Sequence, residues 1–257
     1  MDEVNRKNVI IERRFSGLTR LYGAAGAQRI VAAHVAVIGI GGVGSWAVEA
    51  LARSGVGRLT LIDLDHVSES NINRQIHAND ASLGQAKVLA MRDRIHSYHP
   101  ACDVTCIEEF VEPANWPTLL PKGVNAVIDA CDQAQAKIAM AVWAKNTQTV
   151  FISVGAAGGK RQAHQVDIDD LAQTTHDPLL AQVRYRLRKE HNAPREGKKI
   201  GVACVFSRES VKSPEASCAS EGDGTLNCHG YGSVVSVTAT FGQCAAGWIL
   251  DKIADQV

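Results

Sequence analysis

The stretch Gly39-Ile40-Gly41-Gly42-Val43-Gly44 constrains this chain more than any other. Gly39, Gly41 and Gly44 spell G-x-G-x-x-G, a pattern with meaning only between a strand and a helix. Both flanks comply. Residues 34–38 (HVAVI) are short and apolar, as a buried parallel strand is, and residues 45–52 are rich in helix formers. Gly39 permits the tight turn, Gly41 lets a phosphate approach the backbone, and Gly44 lets the helix pack close to the strand. The free N–H groups at the helix start then face the anion. A second apolar strand, residues 59–62, ends in Asp63. That is the offset at which a carboxylate accepts from a ribose hydroxyl. Together these features predict a nucleotide site on Gly39, Gly41, Gly42, Gly44 and Asp63.

After Asp63 the chain turns polar, with Asp65, His66, Ser68, Glu69, Asn71, Asn73, Arg74 and Gln75. A dinucleotide dehydrogenase would ordinarily enter its next helix here. Arg74 is a candidate phosphate clamp, and Asp65 and Asn71 are candidate nucleotide ligands. A helix is predicted over residues 85–98 with Lys87 in its first turn, where a cation opposes the helix dipole. Lys87 is therefore read as a phosphate contact rather than a solvated lysine. Further strands are predicted at 103–107, 125–129 and 149–154. The second of these leads into Asp129-Ala130-Cys131-Asp132-Gln133, at the sheet edge where such folds bind ligands. Asp129 is read as a helix cap and Asp132 as a ligand for Mg²⁺ bridging phosphate oxygens.

Alternating strands and helices predict an α/β, Rossmann-like, doubly wound and mainly parallel sheet. An N-terminal helical arm (1–33) precedes the nucleotide-binding core (34–160), and an antiparallel and helical extension (161–257) follows, all in a single domain. Within the arm, Phe15, Leu18, Leu21 and Tyr22 form one apolar face, while Arg13, Arg14 and Arg20 are either solvated or phosphate donors. Within the extension, an antiparallel strand is expected over 163–168 and a helix over 178–190.

Positive and negative side chains balance at 27 each, so any nucleic-acid contact must be local. The one dense basic tract holds Arg184, Arg186, Arg188, Lys189, Arg195, Lys198 and Lys199. It reads as a solvated helix face or as a contact for a nucleic-acid backbone. Seven scattered cysteines without a C-x-x-C pair argue against a zinc site of the paired kind and against a disulfide framework, and so for a reducing cytoplasm. The first residues do not read as a secretory signal. Residues 230–250 carry no charge and are long enough for a bilayer, but Ser, Thr, Gln and Gly dilute them. A helix buried across a sheet is the favoured reading and membrane association the alternative. Residues 207–229 read as a mobile loop, with Cys228 near its end.

A glycine loop, a ribose acid, Arg74, Lys87 and the candidate metal carboxylate Asp132 make sense together around ATP. Three phosphates need more positive charge than the two of NAD, and hydride transfer would need a proton donor that does not stand out. These motifs resemble the ubiquitin-activating-enzyme-like adenylyltransferase superfamily. By that pattern Asp63 holds the ribose, Asn71, Arg74 and Lys87 surround the phosphates, and Asp132 binds Mg²⁺.

RFSGLTRLYG (14–23), NRQIHA (73–78), GVACVFS (201–207) and TATFG (238–242) further resemble the tRNA threonylcarbamoyladenosine dehydratases. That resemblance implies ATP-dependent cyclisation of N6-threonylcarbamoyladenosine next to the tRNA anticodon through an acyl-adenylate. It makes the basic tract a tRNA contact and Arg74, Lys87 and Asp132 the catalytic set. It also places a cysteine near Cys228, as an inert thiol, a nucleophile or a persulfide acceptor fed by a cysteine desulfurase system. It implies a homodimer in which Arg14 or Arg20 reaches the other subunit's ATP; Gly17 stands where sulfur-carrier activators often carry that arginine. A structural monovalent cation (Na⁺ or K⁺) is implied too. The rivals are an activator of a sulfur-carrier protein's C-terminal carboxylate and an NAD-dependent oxidoreductase.

Overall fold

The computed structural model describes residues 3–195, 197–212 and 231–256. Cys228 and most of the expected 207–229 loop lie outside the described residues.

Apolar runs become strands and helix-forming runs return between them, so one seven-stranded sheet forms. Its strands are β1 (His34–Ile38), β2 (Arg58–Ile62), β3 (Asp103–Ile107), β4 (Ala126–Asp129), β5 (Val150–Val154), β6 (Val166–Asp170) and β7 (Ala203–Ser207), in the order β3-β2-β1-β4-β5-β7-β6. All neighbours are parallel except the antiparallel pair β6 and β7. From β1 the chain winds outward through β2 and β3, and from β4 outward the other way. The crevice outside the carboxyl ends of β1 and β4 is therefore the ligand position of such a sheet.

Strand alternation sends side chains to both faces. Val35, Val37, Leu59 and Leu61 enter one core with α1 (Glu3–Ala32), α2 (Gly44–Arg53), α3 (Lys87–Tyr98) and α6 (Val235–Ala254). Ala36, Ile38 and Val127 enter the other, with α4 (Ala134–Thr147) and α5 (Pro178–Glu190). From Val235 onward the uncharged C-terminal stretch is helical, forming most of α6, which is laid across the sheet and against α2. A Cβ on Gly242 would stand 2.5 Å from the Val43 carbonyl oxygen, so α6 meets the start of α2 backbone to backbone. Among the described residues, no helix is long and apolar enough to cross a membrane.

Two expectations need correcting. The arm breaks its helical geometry at Phe15 and at Gly23 (φ 71°), so its apolar face does not run straight. Phe15, Leu18 and Tyr22 are half-buried, whereas Leu21 is 75% exposed. On either side of Gly23 the arm docks on α6: Tyr22 Oη donates to Asp251 Oδ1 (3.1 Å) and Arg29 Nε to the Ala254 carbonyl (3.0 Å). The antiparallel strand also starts later than expected. Residues Ala163–Gln165 form a single 3-10 turn, and pairing with β7 begins at Val166.

Candidate active site

The glycine loop joins β1 to α2. Gly39 turns with φ +83°, and a Cβ there would press on the Ala130 carbonyl at 2.8 Å. A Cβ on Gly44 would lie 1.8 Å from the Gly39 carbonyl oxygen, so any side chain there would open the turn. At Gly41 a Cβ would meet nothing within 4 Å, which leaves the backbone facing open space at the sheet edge.

Asp63, at the end of β2, is buried. Its Oδ2 accepts from Ile40 N (2.6 Å) and its Oδ1 from Asp65 N (2.9 Å), so it ties the glycine loop to the polar loop that follows β2. Burial pushes its carboxyl above the ordinary range, against the pull of Lys87 and the two N–H donors. Each oxygen keeps a lone pair for a sugar hydroxyl.

Lys87 opens α3 and is buried, with its Nζ 2.7 Å from Asp65 Oδ2. Asp65 thus supplies the anion that a cation in a helix's first turn calls for. Asn71 is buried as well, and its Oδ1 accepts from Ser68 N (3.1 Å). Its oxygen serves the turn, and its amide N–H₂ is the part left for a ligand.

Arg74 lies directly beside the glycine loop. A Cβ on Gly42 would sit 3.2 Å from Arg74 Cγ and 3.4 Å from Thr238 Cγ2 at the start of α6. Arg74 Nη1 donates to the Ser70 carbonyl (2.7 Å) and to Asn73 Oδ1 (2.9 Å). Trp46 Nε1 on α2 donates to the Arg74 carbonyl (2.9 Å), and Asn73 Nδ2 to the Ser233 carbonyl (3.1 Å). The polar loop is therefore fixed to α2 and to the entry of α6. Sequence reasoning missed Trp46; its signal was an indole N–H one turn into a helix that opens a ligand site.

The β4–α4 turn departs from expectation. Asp129 does not cap α4. It is fully buried, accepting from Lys137 Nζ (3.0 Å) at Oδ1 and from Ser153 Oγ (2.6 Å) at Oδ2. Lys137 Nζ also donates to the Val154 carbonyl (2.7 Å), so one buried ion pair ties the carboxyl ends of β4 and β5 together. A lysine among Ile138, Met140 and Ala141 on an otherwise apolar helix face was the available signal. Asp132, three residues beyond, is half-buried, and Gln133 Nε2 donates to it at 3.3 Å. Among the described residues, no group of three or more His, Cys, Asp or Glu could cage a metal.

The basic tract divides. Arg184 turns inward, its Nη1 donating to the carbonyls of Leu171 (3.1 Å) and Thr174 (2.9 Å) and to Thr174 Oγ1 (2.8 Å). It is not the surface cation expected, because β6 and the segment after it pass beneath its side of α5. Arg186 forms a two-point pair with Glu190 (3.1 and 3.0 Å), and Arg188 donates to the Pro194 carbonyl (3.1 Å). Lys189, Arg195, Lys198 and Lys199 are exposed.

A model of the ThiF family matches residues 15–256. The chain belongs to the ThiF family. It is 41% identical to the tRNA threonylcarbamoyladenosine dehydratase of Haemophilus influenzae, over 94% of this chain and 94% of that protein. It is 42% identical to the dehydratase of the same name from Escherichia coli, over 94% of this chain and 93% of that one. The crystal structure of the E. coli dehydratase in complex with ATP matches with a TM-score of 0.85, at 41% identity and 94% coverage of each chain.

Next to the site, His77 is buried, and neither ring nitrogen has a partner among the described residues. Burial, with the charges of Lys87 and Arg94, lowers its pKa from 6.5 to about 4. Between those values the unfolded chain takes up a proton that the folded one refuses. The contribution of His77 to stability is therefore fully present above pH 6.5 and is lost as pH drops towards 4, by on the order of 3 kcal/mol. Urea unfolding at pH 7 and pH 4.5 should show this loss, and His77→Phe should shrink it.

Proposed function

We propose that this chain catalyses the ATP-dependent dehydration of N6-threonylcarbamoyladenosine in tRNA, closing the threonylcarbamoyl group into a ring. The observation that carries the reading is the match, along nearly the whole chain, to two proteins named for that reaction, joined to a nucleotide crevice with Asp63, Arg74 and Lys87 around the glycine loop. Asp63 takes the ribose of ATP. The backbone at Gly41 and Gly42, with Arg74 and Lys87, takes the phosphates. The modified base's carboxylate attacks the α-phosphate and releases pyrophosphate. Its carbamoyl group then attacks the acyl carbon, closes the ring and expels AMP. No nucleophile from the chain is required, because attack within one bound nucleoside gains from proximity. Arg74 and Lys87 stabilise the charge that gathers on the α-phosphate.

Mg²⁺ fits Asp132, a half-buried carboxylate with one long hydrogen bond, since this ion binds through one or two carboxylates plus substrate phosphates. Bound there, it would neutralise triphosphate charge. The exposed cations Lys189, Arg195, Lys198 and Lys199 suit a tRNA backbone. A homodimer, with Arg14 or Arg20 of the arm reaching the other subunit's ATP, rests on resemblance. A reducing cytoplasm, where tRNA is found, is the compartment. The monovalent cation and a sulfur-transfer partner for Cys228 rest on resemblance alone.

The test is mass spectrometry of nucleosides from threonylcarbamoyl-modified tRNA incubated with the chain, ATP and Mg²⁺. An ATP-dependent loss of one water from the modified adenosine supports the reading. Intact nucleoside, with pyrophosphate exchange on a small protein ending in Gly-Gly, would favour the sulfur-carrier activator.

A further inference from the structure

A cavity of about 300 Å³ opens at the start of α5, lined by Thr174, His176, Asp177, Ala181, Arg184 and Val211. Asp177 Oδ2 accepts from Ala156 N, just past β5 (2.8 Å), and Val211 follows β7. The cavity therefore lies at the carboxyl edge of the parallel strands, as the glycine loop and the Asp132 turn do.

Arg184 is the group without an explanation. Its guanidinium is half-buried, yet all three of its acceptors are neutral and all bind Nη1. Among the described residues it has no carboxylate partner, and neither Nε nor Nη2 has an acceptor. Asp177, across the cavity, is already occupied, with Oδ1 on Leu180 N (3.0 Å) and Oδ2 on Ala156 N. A guanidinium's free edge at the mouth of a cavity matches two oxygens of one anion. Burial first and Arg188 second lower the Arg184 pKa, and Cys204 and the Asp177 carboxylate offset only part of this.

We propose that this cavity is an oxyanion subsite for the tRNA substrate, with a phosphodiester near the modified adenosine seated on the free edge of Arg184. The proposal rests on the tRNA reading above and adds a specific contact to it. The substrate's own carboxylate is the other source of the same chemistry.

The test measures affinity of the full chain for unmodified and threonylcarbamoyl-modified tRNA across a salt series. Arg184→Met should weaken binding about tenfold and flatten the plot of log affinity against log salt by about one unit. Ala181→Leu, which narrows the cavity and leaves the three Arg184 bonds in place, should weaken binding in the same direction with ATP affinity unchanged. A loss on both RNAs supports the subsite and identifies the phosphodiester; a loss confined to modified tRNA supports it and identifies the carboxylate. Parental affinity and salt slope in both variants would overturn it. A parent chain that binds neither RNA overturns the tRNA reading, and the subsite with it.

Discussion

Arg74→Ala is expected to slow pyrophosphate release by roughly 10²–10³-fold, the scale on which removing one preorganised donor to a developing oxyanion acts. The side chain leaves the polar loop beside Gly42. Its guanidinium is held by the Ser70 carbonyl and Asn73, and its own carbonyl by Trp46. Those bonds aim it before substrate arrives. The backbone-mediated bond to Trp46 survives truncation, and Arg74 is only half-buried, so the melting temperature should barely move. A stopped assay with ATP and modified tRNA, beside a thermal melt, separates the two effects. An unfolded variant would make Arg74 structural, and a parental rate would remove it from the mechanism.

Lys137→Met should produce the largest loss of stability, about 3–5 kcal/mol in urea unfolding, because it strands a buried carboxylate. Lys137 and Asp129 are both fully buried, and Lys137 also satisfies the Val154 carbonyl. Burial opposes the lysine's charge, but Asp129 outweighs it and raises the pKa. Adding Asp129→Asn to Lys137→Met should recover part of the loss, since no buried charge remains unpaired. Two single losses that simply added would show that the pair acts through packing rather than through charge.

The legible and illegible parts of the sequence divide along a physical line. Local geometry was legible: the G-x-G-x-x-G turn, the acid ending β2, and the polar loop with Arg74 each depend on neighbours a few residues away. Partnerships across the fold were less so. Asp129 resembled a cap because its ring of partners, Lys137 and Ser153, assembles only when α4 folds back on the sheet. Arg184 resembled a surface cation because the carbonyls of Leu171 and Thr174 reach it only once β6 has paired with β7. Leu21 falls on the apolar face only of a straight helix, and Phe15 and Gly23 break that geometry. The uncharged C-terminal run was ambiguous by length and became clear by composition, its small residues letting α6 approach α2.

Isotope transfer tests the central claim, that the base's carboxylate is adenylated before the ring closes. Modified tRNA carrying ¹⁸O in the threonine carboxylate would be turned over with ATP, and the released AMP analysed by mass. The mechanism predicts AMP bearing one carboxylate ¹⁸O and release of pyrophosphate. Cyclised nucleoside formed with unlabelled AMP, or with ADP and phosphate, would contradict it.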